Sequence, residues 1–331
     1  MTHAAPERAL RWGVLGVADI AVKQVIPAMR LTRSASVDAI ASREGAKAEA
    51  AARSLGIPRA HGSYEALLAD PAIDAVYIPL PNHLHVPWTL RAAEAGKHVL
   101  CEKPLALSAR EARTLLAVRD RTGVVMGEAF MTRTHPQWRR VRELIAAGRI
   151  GELRMVTGHF SYYRRDPDDV RSKPEYGGGV LLDIGCYPVT MARWLFGAEP
   201  VEVACALERD PDFKVDRYVS GVLRFPAGQA ALYQQMQIFG TRGRIAVELP
   251  FNPPPDHRAR ILVDDGRDLV GGGVVAETFE PVNQYTLQGD RCSAAVRGRA
   301  DVPVPLEDAI ANMAALDALF RAADSGRGER G

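Results

Sequence analysis

The alternation of short apolar runs with helix-length stretches over the first 130 residues constrains this chain more than any other feature. Residues 11–16, 37–41, 73–78, 97–101 and 124–128 read as strands. Residues 19–31, 45–55, 83–95 and 108–121 read as helices, the last with Ser108 at the N-cap and Glu111 at the capping-box position. Strands separated by helices of this length pair in parallel, because a parallel neighbour can be reached only through a long crossover. The first part is therefore an α/β, doubly wound parallel sheet. The rhythm then changes. A helix near 136–147 and a long strand over 152–163 precede Gly177-Gly178-Gly179, which lead into a helix through Phe196. Strand-like runs at 201–207, 218–225, 230–239, 244–247 and 260–263 are spaced as an antiparallel sheet, and helices at 283–297 and 306–323 close the chain. The second part reads as α+β with a largely antiparallel open sheet.

Bulk properties exclude several classes of function. A chain of 331 residues suits two domains. Its net charge of +2 points to neither nucleic acid nor a membrane surface as partner. No apolar run approaches the ~18 residues of a membrane span, and residues 1–10 lack the apolar segment of a signal peptide. Cys101, Cys186, Cys205 and Cys292 lie far apart with no C-x-x-C, so neither a disulfide framework nor a zinc site is expected, and a reducing cytoplasm fits. His83 and His85 lack a third ligand nearby, and no metal is expected. Of the 42 basic residues only six are Lys, so each Lys stands out.

The first strand runs into Gly16-Val17-Ala18-Asp19-Ile20-Ala21. This is G-x-G-x-x-G with Ala in the second and third places. Gly16 makes the tight turn, and the small residues after it let the amides of Ala18, Asp19 and Ile20 approach a pyrophosphate at a helix N-terminus. The competing reading is a close-packed turn with no ligand. A Rossmann site for NAD carries an acid roughly 20 residues on, at the end of strand two. Here that end reads Ala41-Ser42-Arg43, and Asp38 comes too early. A hydroxyl and a guanidinium suit a 2′-phosphate, so NADP is expected in preference to NAD. Arg43 as a solvated loop residue is the alternative.

The third strand ends in Pro79-Leu80-Pro81-Asn82-His83-Leu84-His85 and the fourth in Leu100-Cys101-Glu102-Lys103-Pro104. Both ends lie where open α/β sheets bind ligands, which makes Leu80, Asn82, His85, Glu102 and Lys103 candidates for the cofactor site. An exposed Lys is the plain alternative for Lys103. In this order the glycine turn, Pro81-Asn82-x-x-His85, Ala95-Gly96-Lys97-His98-Val99, Glu102-Lys103-Pro104 and Glu128-Ala129-Phe130-Met131 before His135-Pro136 resemble the Gfo/Idh/MocA oxidoreductase family. Val302-Pro303-Val304-Pro305-Leu306-Glu307-Asp308 extends the resemblance to the last helix.

The resemblance implies a dinucleotide-binding Rossmann domain over 1–130 and a substrate-binding and oligomerisation domain over 131–331, the last helix packing back on the first domain. It implies a homodimer or homotetramer through the open sheet and a cis Lys103-Pro104 bond. In Gly178-Gly179-Val180-Leu181-Leu182-Asp183-Ile184-Gly185-Cys186-Tyr187, Asp183 and Tyr187 are four apart and share a helix face. The resemblance turns that face towards the nicotinamide. Family members commonly carry His where this chain has Tyr187, so the chain resembles the branch with glucose–fructose oxidoreductase, dihydrodiol dehydrogenases and sugar-ketone reductases. Lys103, Asp183 and Tyr187 are then the catalytic candidates: Tyr187 as acid–base group, Lys103 favouring its phenolate or binding the substrate oxygen, Asp183 orienting a hydroxyl. Otherwise Asp183 caps the helix and Tyr187 packs in the core. Tyr163, Asp183 and Tyr187 are the substrate candidates, and Arg171 and Tyr285 resemble positions that approach the cofactor. The expected function is hydride transfer between a nicotinamide dinucleotide and a small polyhydroxylated substrate: a sugar, keto-sugar or cyclic diol. A NAD-dependent glycosidase of the same fold and a non-catalytic NADP-binding sensor are the alternatives.

Overall fold

The protein is described from a computed structural model, which covers residues 8–162, 164–226, 228–231, 236–268 and 271–326. Among these residues two sheets form. The first contains β1 (Leu10–Leu15), β2 (Ala35–Ala41), β3 (Arg59–His61), β4 (Ala75–Ile78), β5 (His98–Cys101) and β6 (Met126–Glu128) in the order β3-β2-β1-β4-β5-β6, all parallel. Between β1 and β4 the winding reverses, and in such sheets ligands bind outside the strand ends at this switch point. β4 is buried along its whole length, as a central strand covered on both faces must be. The crossover helices are α1 (Ile26–Met29), α2 (Gly45–Leu55), α3 (Tyr64–Leu68), α4 (His85–Glu94) and α5 (Ala109–Thr122). Neither β3 nor α3 was anticipated, since three residues reading Arg-Ala-His carry no apolar run. Tertiary packing selects them: a Cβ on Gly13 of β1 would press within 2.6 Å of Leu67 in α3.

The second sheet contains β7 (Leu153–Thr157), β8 (Glu202–Arg209), β9 (Asp216–Phe225), β10 (Gly228–Ala231), β11 (Met236–Gly240), β12 (Gly243–Val247), β13 (Ala259–Asp264) and β14 (Val274–Phe279) in the order β14-β13-β12-β11-β7-β10-β9-β8. Every pairing is antiparallel except β10 with β7. The mixed α/β reading holds, with local corrections. The expected strand over 230–239 is two strands on opposite sides of β7, so no single strand can span them. The strand expected over 152–163 ends at Thr157, and β14 was not foreseen. On β9, Gly221, Leu223 and Phe225 are buried while Tyr218, Val222 and Arg224 are exposed, the alternation of a sheet covered on one face. Helices α6 (Pro136–Ala146) and α7 (Cys186–Phe196) belong with this sheet. Trp138 of α6 is fully buried and donates from Nε1 to the Pro250 carbonyl at 2.6 Å.

By contacts the chain divides into two compact units. One holds the chain through Leu105, Glu111–Met131 and Asn283–Leu306; the other holds Ala106–Arg110, Thr132–Val282 and the chain from Glu307 on. Both closing helices have a place in this division. The segment that joins the parallel sheet carries α8 (Gln284–Val296), and α9 (Leu306–Ser325) groups almost entirely with the second unit. Long-range side-chain contacts decide this. Trp12 of β1 donates to Ser293 at 3.2 Å, Thr32 and Ser34 both hydrogen-bond Asp290, and Gly289 leaves room for Met29. In the second unit Asp308 of α9 accepts from Arg133 at 2.7 Å and Arg193 at 3.0 Å.

Candidate active site

In the first unit, the glycine turn has the geometry of a close approach. Gly16 sits at φ +118°, and a Cβ there would stand 3.1 Å from Leu80, at the end of β4. Its N–H donates to the Ala41 carbonyl at 2.9 Å, tying the ends of β1, β2 and β4 together. A π-helical turn, Ala21–Val25, follows and runs on into α1. Pro27 has no N–H for the ordinary i−4 bond, and just before it Ile26 donates to Ala21, five residues back. Ala18 is half-buried, and Asp19 and Lys23 form an exposed pair at 2.7 Å. At the end of β2, Ser42 is buried and Arg43 exposed. Asp38 lies within the strand, 3.8 Å from Arg59, and supplies no acid at the strand end. A glycine cradle with a hydroxyl and a guanidinium at the end of β2 fits a dinucleotide carrying a 2′-phosphate.

The ends of β4 and β5 are bound to each other. Tyr77 donates to Glu102 at 2.6 Å, and the Glu102 amide donates to the Ile78 carbonyl at 3.1 Å. The Lys103-Pro104 bond is cis, as expected. Glu128, at the end of β6, accepts from the Leu105 amide at 2.7 Å and holds the turn from below. His85 is fully buried, its Nδ1 at 2.7 Å from the Pro104 carbonyl and its Nε2 at 2.6 Å from the Leu80 carbonyl. It reaches the loops around the expected cofactor through their backbone. Burial lowers its pKa to about 4 against the pull of both carbonyls, and Lys103 and His83 lower it further. Tyr285 of α8 is half-buried; burial raises its pKa, the Glu102 charge raises it further, and Lys103 opposes. The returning segment thus brings Tyr285 to the Glu102-Lys103 turn. Asn82 opens a 3₁₀ turn, Asn82–Leu84, between β4 and α4.

In the second unit a second π-helical turn, Leu181–Gly185, runs into α7 ahead of Pro188. Gly177 ends a short turn in the left-handed region, a Cβ on Gly178 would strike the Arg171 carbonyl, and one on Gly179, at φ +108°, would strike Asp216. Asp216 accepts from the Leu181 amide at 2.6 Å and so caps the turn. Asp183 Oδ2 accepts from Tyr162 and, at 3.0 Å, from Arg171 Nε. Asp169 takes the other side of Arg171 at 3.3 Å and also pairs with Arg164 at 2.9 Å. Burial lowers the Arg171 pKa, but Asp183, Tyr162 and Asp169 together outweigh it and hold the guanidinium above its ordinary value. Arg171, expected near the cofactor, has these two carboxylates as its partners. Tyr187 is 5% exposed, its ring centroid 5.5 Å from Phe160 and 5.4 Å from Phe251. Tyr163 lies outside the described residues. The sequence singles out Tyr162 within a polar, aromatic segment from 162 to 174 suited to a polyhydroxylated ring; it gives no signal for Phe160 or Phe251 beside Tyr187.

Residues 10–130 match a profile described as oxidoreductase family, NAD-binding Rossmann fold, and residues 138–246 match the GFO/IDH/MocA C-terminal domain. The chain is 46% identical to an uncharacterised oxidoreductase of Rhizobium meliloti, over 97% of this chain and 98% of that one. It is 40% identical to a D-xylose 1-dehydrogenase (NADP+) of Haloferax volcanii, over 96% and 98%. The chain belongs to the Gfo/Idh/MocA oxidoreductase family. Within the family its fold is similar to the crystal structure of KijD10, a 3-ketoreductase from Actinomadura kijaniata in complex with NADP and TDP-benzene, with a TM-score of 0.85, 30% identity and 95% and 98% of the two chains covered. Among the described residues no helix is long and apolar enough to cross a membrane, and no group of three His, Cys, Asp or Glu could hold a metal ion.

Proposed function

We propose that this oxidoreductase uses NADP to oxidise or reduce a neutral sugar, keto-sugar or cyclic diol that carries no nucleotide. The observation that carries the reading is the array around the start of α7: Asp183 held by Arg171 and Tyr162, with Tyr187 one turn on against an aromatic wall. A carboxylate held in this way is a strong acceptor for substrate hydroxyls. Each arginine of the adjoining segment is paired with acid: Arg164 with Asp169, Arg165 with Asp210 and Asp212, Arg171 with Asp183. That pairing offsets the arginine charge that would favour a diphosphate and supports an uncharged substrate.

A bound nicotinamide supplies the hydride acceptor or donor. Tyr187 takes the hydroxyl proton during oxidation and returns it during reduction, while the Lys103 ammonium stabilises negative charge on the reacting oxygen. Asp183 accepts from a neighbouring hydroxyl and fixes the ring. The reading extends to the cytoplasm, where the free cysteines would stay reduced. It extends also to a homodimer or homotetramer through the open face of the second sheet, on which Tyr218 and Val222 lie exposed.

The test is a panel of aldoses including D-xylose, ketoses and cyclic diols, each with NADP(H) and NAD(H), followed by nicotinamide absorbance. Turnover of NADP(H) with one neutral class is expected. Cleavage of a glycoside with no net change in the cofactor would instead support the glycosidase reading, and no turnover with tight NADP binding the sensor.

A further inference from the structure

The loops that follow β2 and β3 form one wall beside the glycine turn, and it contains a residue that motif reading passes over. Gly45 and Gly62 meet backbone to backbone; a Cβ on either would lie 3.7 Å from the other's Cα. The Ser42 amide donates to the His61 carbonyl at 3.1 Å, so the segment after β2 is held against the segment after β3. Tyr64 opens α3 directly after Ser63, whose side chain caps the helix by accepting from the Ala66 amide at 3.1 Å. The Tyr64 ring is 7% exposed and stands edge-on to Trp88, centroids 4.8 Å apart. Its hydroxyl lies 3.9 Å from where a Cβ on Gly16 would be, and the Arg43 guanidinium is near enough to act on it.

An arginine only donates, so towards Arg43 the Tyr64 oxygen can only accept, which leaves its O–H as a donor. Burial raises the Tyr64 pKa and keeps the phenol protonated, with Arg43 opposing. Ser42 Oγ likewise accepts from the Glu44 amide at 3.2 Å and keeps its own proton to donate. Ser42, Arg43 and Tyr64 therefore bring donors together at the end of β2.

We propose that Tyr64 determines cofactor specificity by holding the Arg43 guanidinium in place and by adding a hydroxyl donor for the 2′-phosphate that NAD lacks. The proposal rests on the reading of the chain as NADP-linked. An exposed arginine must lose side-chain freedom to grip a phosphate, and one already held by a buried phenol loses less.

The experiment titrates NADPH and NADH against the purified full-length protein by fluorescence, with no substrate present. Wild type, Tyr64→Phe, Arg43→Ala and the double variant are compared. Phe keeps the ring against Trp88, and thermal melts report whether the fold is retained. Tyr64→Phe is expected to weaken NADPH binding about tenfold and to leave NADH within about twofold. Arg43→Ala is expected to cost NADPH about ten- to a hundredfold, and the double variant less than the product of the two, because the residues act as a unit. Equal effects of Tyr64→Phe on both cofactors, no effect on either, or multiplicative losses would overturn the proposal. Equal wild-type affinities for NADPH and NADH would overturn the NADP reading itself and the proposal with it.

Discussion

Replacing Tyr187 with Phe removes one oxygen from a ring whose packing the structure defines. The ring is 5% exposed and set among Phe160 and Phe251, whose own rings stack with centroids 5.2 Å apart. Phe keeps this aromatic contact, so stability should change by about 1 kcal/mol at most, the worth of one ordinary hydrogen bond. For a unit of this size that moves Tm by only about 2–4 °C. The catalytic loss should be far larger: without the phenolic proton, kcat should fall about 10²–10⁴-fold. The assay follows nicotinamide absorbance with the best neutral substrate, and a deuterated substrate establishes whether hydride transfer limits the rate. Tyr187→His should keep partial activity and move the pH profile towards the imidazole value of about 6.5. A drop of less than about threefold in Tyr187→Phe, with hydride transfer shown to limit the rate, would refute the argument and move the proton path to Lys103 or water.

Lys103→Met should abolish turnover while NADPH still binds within a few-fold by fluorescence; near-native kcat would remove Lys103 from the chemistry. Arg171→Gln should lower kcat/KM about ten- to a hundredfold in the wild type but much less in an Asp183→Asn background, since it acts through Asp183; equal losses in both would show a role elsewhere. His85 and His135 are buried and held neutral, each with its pKa lowered by burial from 6.5 to about 4. Between those values the unfolded chain binds more protons than the folded one, so stability should fall as pH drops from about 6.5 towards 4, by up to about 3 kcal/mol for each group. His135 caps α6 by accepting from the Gln137 amide at 3.2 Å; His135→Asn keeps an acceptor there and should flatten the slope of Tm against pH, and an unchanged slope would exclude His135.

Local pattern carried most of the architecture. Apolar runs with turn residues between them marked five of the six parallel strands, because a buried central strand such as β4 must be apolar throughout. The same logic exposed the glycine turn, where φ and the approach of Leu80 exclude a side chain, and the isolated Lys103 at a strand end. Short-range pattern failed where a segment's state depends on what covers it. β3, α3 and β14 carry too little apolar periodicity to announce themselves, and the split between β10 and β11 follows from which side of β7 each one pairs with.

The site divides in the same way. Position at a strand end, which is set locally, was enough to nominate Lys103, Ser42 and Arg43, and the family resemblance added Asp183 and Tyr187 at the start of a helix. Partners far apart in sequence were decided only by the folded chain. Arg171 turns to Asp183, Tyr285 returns to the Glu102-Lys103 turn, and α8 groups with the parallel sheet. Tyr64 reads as an ordinary core aromatic until its hydroxyl is seen beside Gly16 and Arg43. The physical reason is that strand and helix periods depend on neighbours a few residues away, whereas a guanidinium takes whichever carboxylate or phenol the packed chain brings within about 3 Å of it.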